Sequence, residues 1–262
     1  MVRYLRLLGI QLRTSLLLMM QYRVDFLLDA VMSLFWTASA LVPLLVLFGK
    51  RDSVVGWSWP EALLVVAWFT ILKGILSGAI HPALQSVVEH IRKGTLDFVL
   101  LKPADAQFLV STARFELWRG ADVVGGFALL GWALAELRLV PSVGAVAATV
   151  ALLAGAVAIL YSLWIFVISL AFVTVKVDNL TYLFESIYDA GRWPASIYRG
   201  FLSFFFTFVI PLALMTTYPA LAILGRIEAH QVFLALGGAA AFTVAARLVW
   251  RTSIRHYTSA GG

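Results

Sequence analysis

The sequence predicts an all-α polytopic membrane protein, and three observations carry that prediction. Hydrophobic residues make up 61% of the 262-residue chain and charged residues only 13%, against about 45–50% and about 25% in soluble domains. Mean hydropathy is +0.91. The apolar residues also gather into runs, and about 20 helical residues suffice to cross a bilayer core. Six crossings are predicted, at 26–48, 59–80, 108–135, 143–173, 197–214 and 232–250, within a single domain covering 1–262. Fifteen of the twenty Lys and Arg fall in the connections and helix ends assigned to one side, four fall on the other, and Lys73 is internal. Because positive residues concentrate on the cytoplasmic side, both termini are predicted to be cytoplasmic.

Several function classes are excluded early. The net charge of +6 does not indicate nucleic acid, because the basic residues are scattered between apolar runs and form no basic face. There is no Cys, which excludes disulfides and thiolate metal sites. The first apolar run leads into further spans and not into a cleavage site, so it is expected to remain in the protein.

Residues 1–24 carry Arg3, Arg6, Arg13 and Arg23 among Leu, Ile and Met. That spacing fits an amphipathic helix lying at the membrane interface, or a cytoplasmic extension of the first span. The first span, 26–48, ends before Lys50, and Trp57 and Trp59 mark a short outer connection. Pro60 suits the first turn of the second span. Lys73 lies inside that span and has two readings, an anchor that snorkels toward the interface and a pathway contact.

The segment 81–105, HPALQSVVEHIRKGTLDFVLLKPAD, organises the chain. His81-Pro82 reads as a break, 83–91 as a short amphipathic helix, and Gly94 as a left-handed exit from it. Another turn starts at Thr95, and Lys102-Pro103 closes the unit. The segment has no nucleophile with a base and no phosphate-binding glycine loop. It reads as a protein-contact surface, with Glu89, Arg92, Lys93, Leu96, Asp97 and Phe98 as the contact residues.

In the third span Arg114, Glu116, Arg119 and Asp122 fall where Glu116–Arg119 and Arg119–Asp122 are three apart on a helix. They read as a self-neutralising ionic ladder or as one wall of a hydrophilic pathway. Span four, 143–173, is long enough to tilt. The interval 176–196 reads as a second cytoplasmic connection, whose Asp178, Glu185 and Asp189 lack the His or metal-ligand partners that catalysis needs. Pro211 and Pro219 break the stretch after the fifth span into an outer re-entrant segment, 212–226. Arg247, Arg251 and Arg255 close the sixth span on the cytoplasmic side.

Three motifs, IRKGTLDFVLLKP at 91–103, RWPASIY at 192–198 and FVIPLALMTTYPALAILG at 208–225, occur in an order that resembles the integral-membrane permease of ABC-2 type transporters. The resemblance implies an ATP-driven exporter in the cytoplasmic membrane of a prokaryote, with the 81–105 connection as the coupling element. It implies a separate ABC ATPase as partner, carrying the ATP and magnesium, and a second copy of this permease or a related one beside membrane lipids. The chain contains no GxxxxGK[ST] loop, so no cofactor and no enzymatic step are expected within it. A membrane anchoring subunit that recruits a soluble protein and moves nothing is the alternative.

Overall fold

The computed structural model describes residues 2–21, 23–172 and 177–257. Among them, four helices are long and apolar enough to cross a membrane: Val31–Phe48, Trp59–Arg92, Val143–Phe172 and Ala229–Ile254. The protein is thus all-α apart from one small hairpin, with several long apolar helices. Helix α1 (Val2–Gln21) precedes α2 (Arg23–Phe48). The hairpin, β1 (Ser53–Val54) with β2 (Trp57–Ser58), leads into α3 (Trp59–Ile75). The Ser58 N–H donates to the Glu61 carboxylate at 2.9 Å, and Pro60 occupies the first turn, where its missing donor costs little.

The expected break at His81-Pro82 is a change of winding instead. A π turn, Leu76–Ile80, joins α3 directly to α4 (His81–Arg92), so one helix runs from Trp59 to Arg92. The widened turn accommodates a proline that an α-helical interior would resist. At the far end Gly94 takes φ 64°. Its N–H donates to the Ile91 carbonyl at 3.2 Å and the Thr95 N–H to the His90 carbonyl at 2.9 Å, the paired bonds of a Schellman exit. Short helices α5 (Asp97–Leu100) and α6 (Ala106–Ser111) follow.

The third predicted span, 108–135, is not one helix. The chain unwinds after Ser111, makes a single 3-10 turn at Leu117–Arg119, and resumes as α7 (Gly120–Glu136). Distant partners replace the helical bonds. The Phe115 N–H donates to Ser15 Oγ at 3.1 Å, and the Glu116 N–H to the Gly78 carbonyl at 2.8 Å. Backbone donors lost from a helix are thus satisfied from α1 and from the π turn.

Helix α7 runs antiparallel to α3 at close range. A Cβ on Gly126 would lie 2.6 Å from Ile71 Cγ1 and 2.9 Å from the Ile71 nitrogen; one on Gly74 would lie 2.7 Å from Val123 Cγ2. Two facing glycines therefore set the contact distance. Gly126→Val is expected to cost about 1–3 kcal/mol through overpacking against backbone, read as a lowered thermal midpoint of the detergent-solubilised protein. The same substitution at Gly131, where a Cβ meets nothing within 4 Å, is expected to leave that midpoint near wild type.

Helix α8 (Val143–Ser169) is capped by Ser142 and packs along α12 (Ala229–Ile254). Between them in the chain lie α9 (Val177–Tyr188), 3-10 turns at Asp189–Arg192 and Ala195–Ile197, α10 (Phe201–Phe204), π turns at Phe205–Val209 and Ala213–Thr217, and α11 (Tyr218–Ile223).

The interval 176–196 is not confined to one end of the bundle. Its residues meet α4, α3 and β2 in reverse chain order: Glu185 at His81, Asp189 at Lys73, and Ser196 at Trp57, whose Nε1 donates to it at 3.1 Å. Lys176 and the Asp178 side chain lie outside the described residues. The predicted fifth span, 197–214, is likewise not a straight helix. The Tyr198 hydroxyl donates to the Ala190 carbonyl at 2.7 Å, Phe206 meets the Tyr198 ring, and Leu212 packs on Gly191. This stretch folds back and ends with Ala220 and Ile223 packed in the cluster that holds Trp57 and Trp68. Pro211, which removes a donor between the two π turns, marks the bend.

Candidate functional site

A cavity of about 890 Å³ opens between α2, α3, the Leu117–Arg119 turn and α9. It borders two stretches that abandon regular helix, 112–119 and 189–192. Irregular backbone within a membrane protein needs such protein or wet surroundings to satisfy its polar groups.

Charged side chains converge on this cavity in two groups. In the first, Lys73 Nζ lies 3.1 Å from Asp189 Oδ1, and Arg192 Nη2 lies 3.4 Å from Asp189 Oδ2. Phe69 lies beneath both cations, at 5.7 Å from Lys73 Nζ and 5.5 Å from the Arg192 guanidinium. Stacking of Phe69 on Tyr188 holds the ring in place. In the second group Arg119 lies over the Trp118 ring at 3.8 Å and 3.8 Å from Asp122, which accepts a hydrogen bond from the Ser33 hydroxyl of α2. His81 and Glu185, 3.7 Å apart, close the wall.

The predicted network is therefore rearranged. Lys73, Glu116, Arg119 and Asp122 all line the cavity, while Arg114 is not among its lining residues. Arg119 and Asp122 pair as expected. Glu116 instead turns to Arg114 at 3.8 Å, because the unwound backbone removes the helical offset that Glu116–Arg119 pairing requires. Asp189, Arg192, Glu185 and His81 join the lining residues, although the sequence marks His81 only as a break and the other three only as parts of a connection. The i,i+3 spacing of Asp189 and Arg192, together with Lys73 needing a counter-ion, was the signal that could have found them.

Asp189→Asn is expected to lower the thermal midpoint by leaving Lys73 and Arg192 without their shared carboxylate, and adding Lys73→Met to recover part of the loss. The pair is half exposed to the cavity, so the coupling from the double-mutant cycle is expected at about 0.5–1 kcal/mol.

The second region is the exposed end of the α4–α5 unit. Phe98 is 68% and Leu101 80% exposed, whereas Leu96 is fully buried, as are Val87 and Val88 nearby. Leu96 thus props the unit from inside and is not a surface contact residue. Glu89 and Lys93 form an exposed i,i+4 pair at 3.5 Å, and Arg92 and Lys102 are exposed beside Phe98, Leu100 and Leu101. Asp97 is half-buried at the start of α5.

A polar latch joins this end to the bundle. Arg247 of α12 grips both carboxylate oxygens of Asp105 and donates to Gln107 Oε1 at 2.6 Å. Asp105 also accepts from the Phe108 N–H at 3.0 Å, capping α6, while its own N–H donates to Tyr4 of α1. Gln107 and Ser111 both bond the Tyr161 hydroxyl of α8, at 2.9 and 2.7 Å. The Arg247 hydrogen bond holds the Asp105 carboxyl below the ordinary aspartate range, against the opposing effect of burial.

A family model described as ABC-2 family transporter protein matches residues 34–261. Neither the curated proteins nor the solved structures provide a match.

Proposed function

The chain belongs to the ABC-2 family of membrane transporter proteins, and from that premise we propose that it is the permease subunit of an ATP-driven exporter. It is a membrane domain and not an ATPase. The family typically pairs such a chain with a separate ABC ATPase, and we assign the docking surface to the α4–α5 end, with Phe98, Leu100 and Leu101 as apolar anchors and Glu89, Arg92, Lys93, Asp97 and Lys102 around them. The observation that carries this reading is one helix, Trp59–Arg92, that lines the cavity with Phe69, Lys73 and Ser77 and leads to this exposed apolar face. A continuous helix that touches both places can transmit force between them.

The proposed topology keeps six crossings with revised boundaries. The third runs through α6 and α7 with its unwound middle, and the fifth through α9 to Ile197. Residues 201–223 then form the outer re-entrant segment. On these boundaries Arg114 and Arg119 fall inside the third crossing and Arg192 and Arg199 toward the outer side, which leaves eleven of the fifteen positive residues on the cytoplasmic side, so the bias still favours cytoplasmic termini. The charged cavity is the proposed pathway. The outward α2 face, with Phe35, Val42 and Val46 exposed, would meet lipid or a second permease copy.

The test is co-purification of the permease with its ABC ATPase, followed by mass analysis of retained small molecules and assay of ATP hydrolysis in nanodiscs. A complex whose hydrolysis rate responds to the permease supports the reading. A permease that binds the ATPase without altering its rate and retains no ligand supports an anchoring subunit instead.

A further inference from the structure

We infer that the π turn Leu76–Ile80 is the joint through which the docking helix moves the cavity wall, with Gly78, Pro82 and Glu116 as its positioning residues. The inference rests on the coupling reading above. Pro82 has no N–H, so the Gly78 carbonyl four residues back has no α-helical donor. The Glu116 N–H supplies one at 2.8 Å.

The same turn is also shaped for close approach. A Cβ on Gly78 would lie 3.1 Å from Arg119 Cβ and 3.3 Å from the Glu116 carbonyl oxygen, so the bare glycine lets the unwound segment rest on the turn. Glu116 and Arg119 line the cavity from this seat. On the other side of the turn α4 continues without interruption to the docking face. His81, its first residue, packs its ring against Trp164 of α8 at 5.3 Å and faces Glu185 of α9. A rotation of α4 therefore pulls on the Glu116 backbone through a hydrogen bond that an ordinary helix would have kept for itself.

Two substitutions attack the joint without touching the docking face. Pro82→Ala returns an N–H that competes for the Gly78 carbonyl, and Gly78→Ala pushes the unwound segment away by a few tenths of an ångström. The chain has no native cysteine, so spin labels can be placed at Ala113→Cys, in the unwound segment that carries Glu116, and at Val244→Cys on α12, both exposed. The distance between them is measured in the permease–ATPase complex with and without ATP. The labelled, otherwise native chain is expected to show an ATP-dependent shift. Each substitution is expected to reduce that shift at least twofold while the ATPase co-purifies in unchanged amount. A full shift in both variants, or no shift in the native background with the ATPase bound, overturns the inference alone. Failure of the ATPase to bind the native chain overturns the coupling reading and this inference with it.

Discussion

Replacing Phe98 with Asp is expected to abolish co-purification of the ATPase while leaving the thermal midpoint of the permease near wild type. Phe98 is 68% exposed, so the bundle loses little when it is changed, and surface substitutions usually stay within about 0.5 kcal/mol. At an interface a central aromatic anchor is worth about 2 kcal/mol or more. Phe98→Ala is therefore expected to weaken ATPase binding about thirtyfold, and a carboxylate in its place to prevent binding. Leu96 provides the contrast, although it is only two residues away. Being fully buried, its truncation to Ala is expected to cost about 2–5 kcal/mol of stability by leaving a cavity. A thermal shift and a pull-down on the two variants separate support from contact.

Breaking the latch between Asp105 and Arg247 is expected to destabilise the bundle in a pH-dependent way. Arg247→Ala removes a bidentate charged pair from a junction that joins α1, α6, α8 and α12. Charge-assisted bonds contribute about 1.5–3 kcal/mol; with both side chains about one-third exposed, solvent screening reduces the expectation to about 1–2 kcal/mol. The pH dependence has a defined sign. The folded-state pKa of Asp105 is depressed, so its contribution is complete above the unfolded value of about 3.9. It is lost as pH falls through the depressed folded value. Thermal midpoints of wild type and Arg247→Ala are thus expected to differ most above about pH 4 and to converge in stronger acid. A constant gap at all pH values would mean that Arg247 stabilises by packing alone.

Much of the scaffold was legible because helix boundaries follow local chemistry. Pro60 marks the start of α3 as its residue type suggests, Gly94 ends α4 in the left-handed conformation, and Pro211 marks a bend, whereas Pro219 lies within a helix that continues from Ala213 to Ile223. Two stretches were not legible, for one physical reason. A polar residue bordering a cavity between helices has the same composition signature as one in a solvated loop. Asp189 and Arg192 accordingly read as part of a polar connection, and their contacts with Lys73 and Phe69 of α3 are invisible to that reading. The unwinding at 112–116 depends on Ser15 and on the Gly78 carbonyl, partners 100 and 38 residues away in the chain, and periodicity reports nothing about distant partners. The same distance explains why Arg114, Glu116, Arg119 and Asp122 read as a continuous ladder and are in fact divided.

The central claim is that the ATPase sits on the α4–α5 end and works through the helix that reaches the cavity. Because the native chain is free of cysteine, single cysteines at Phe98, Leu101 and Val140 can each carry a photo-crosslinker in membranes containing the intact complex. Val140 is 91% exposed and lies at the opposite end, after α7. The account predicts adducts containing an ABC ATPase from positions 98 and 101 and none from 140. Adducts from 140 alone, or an assembled complex that crosslinks from neither 98 nor 101, would contradict it.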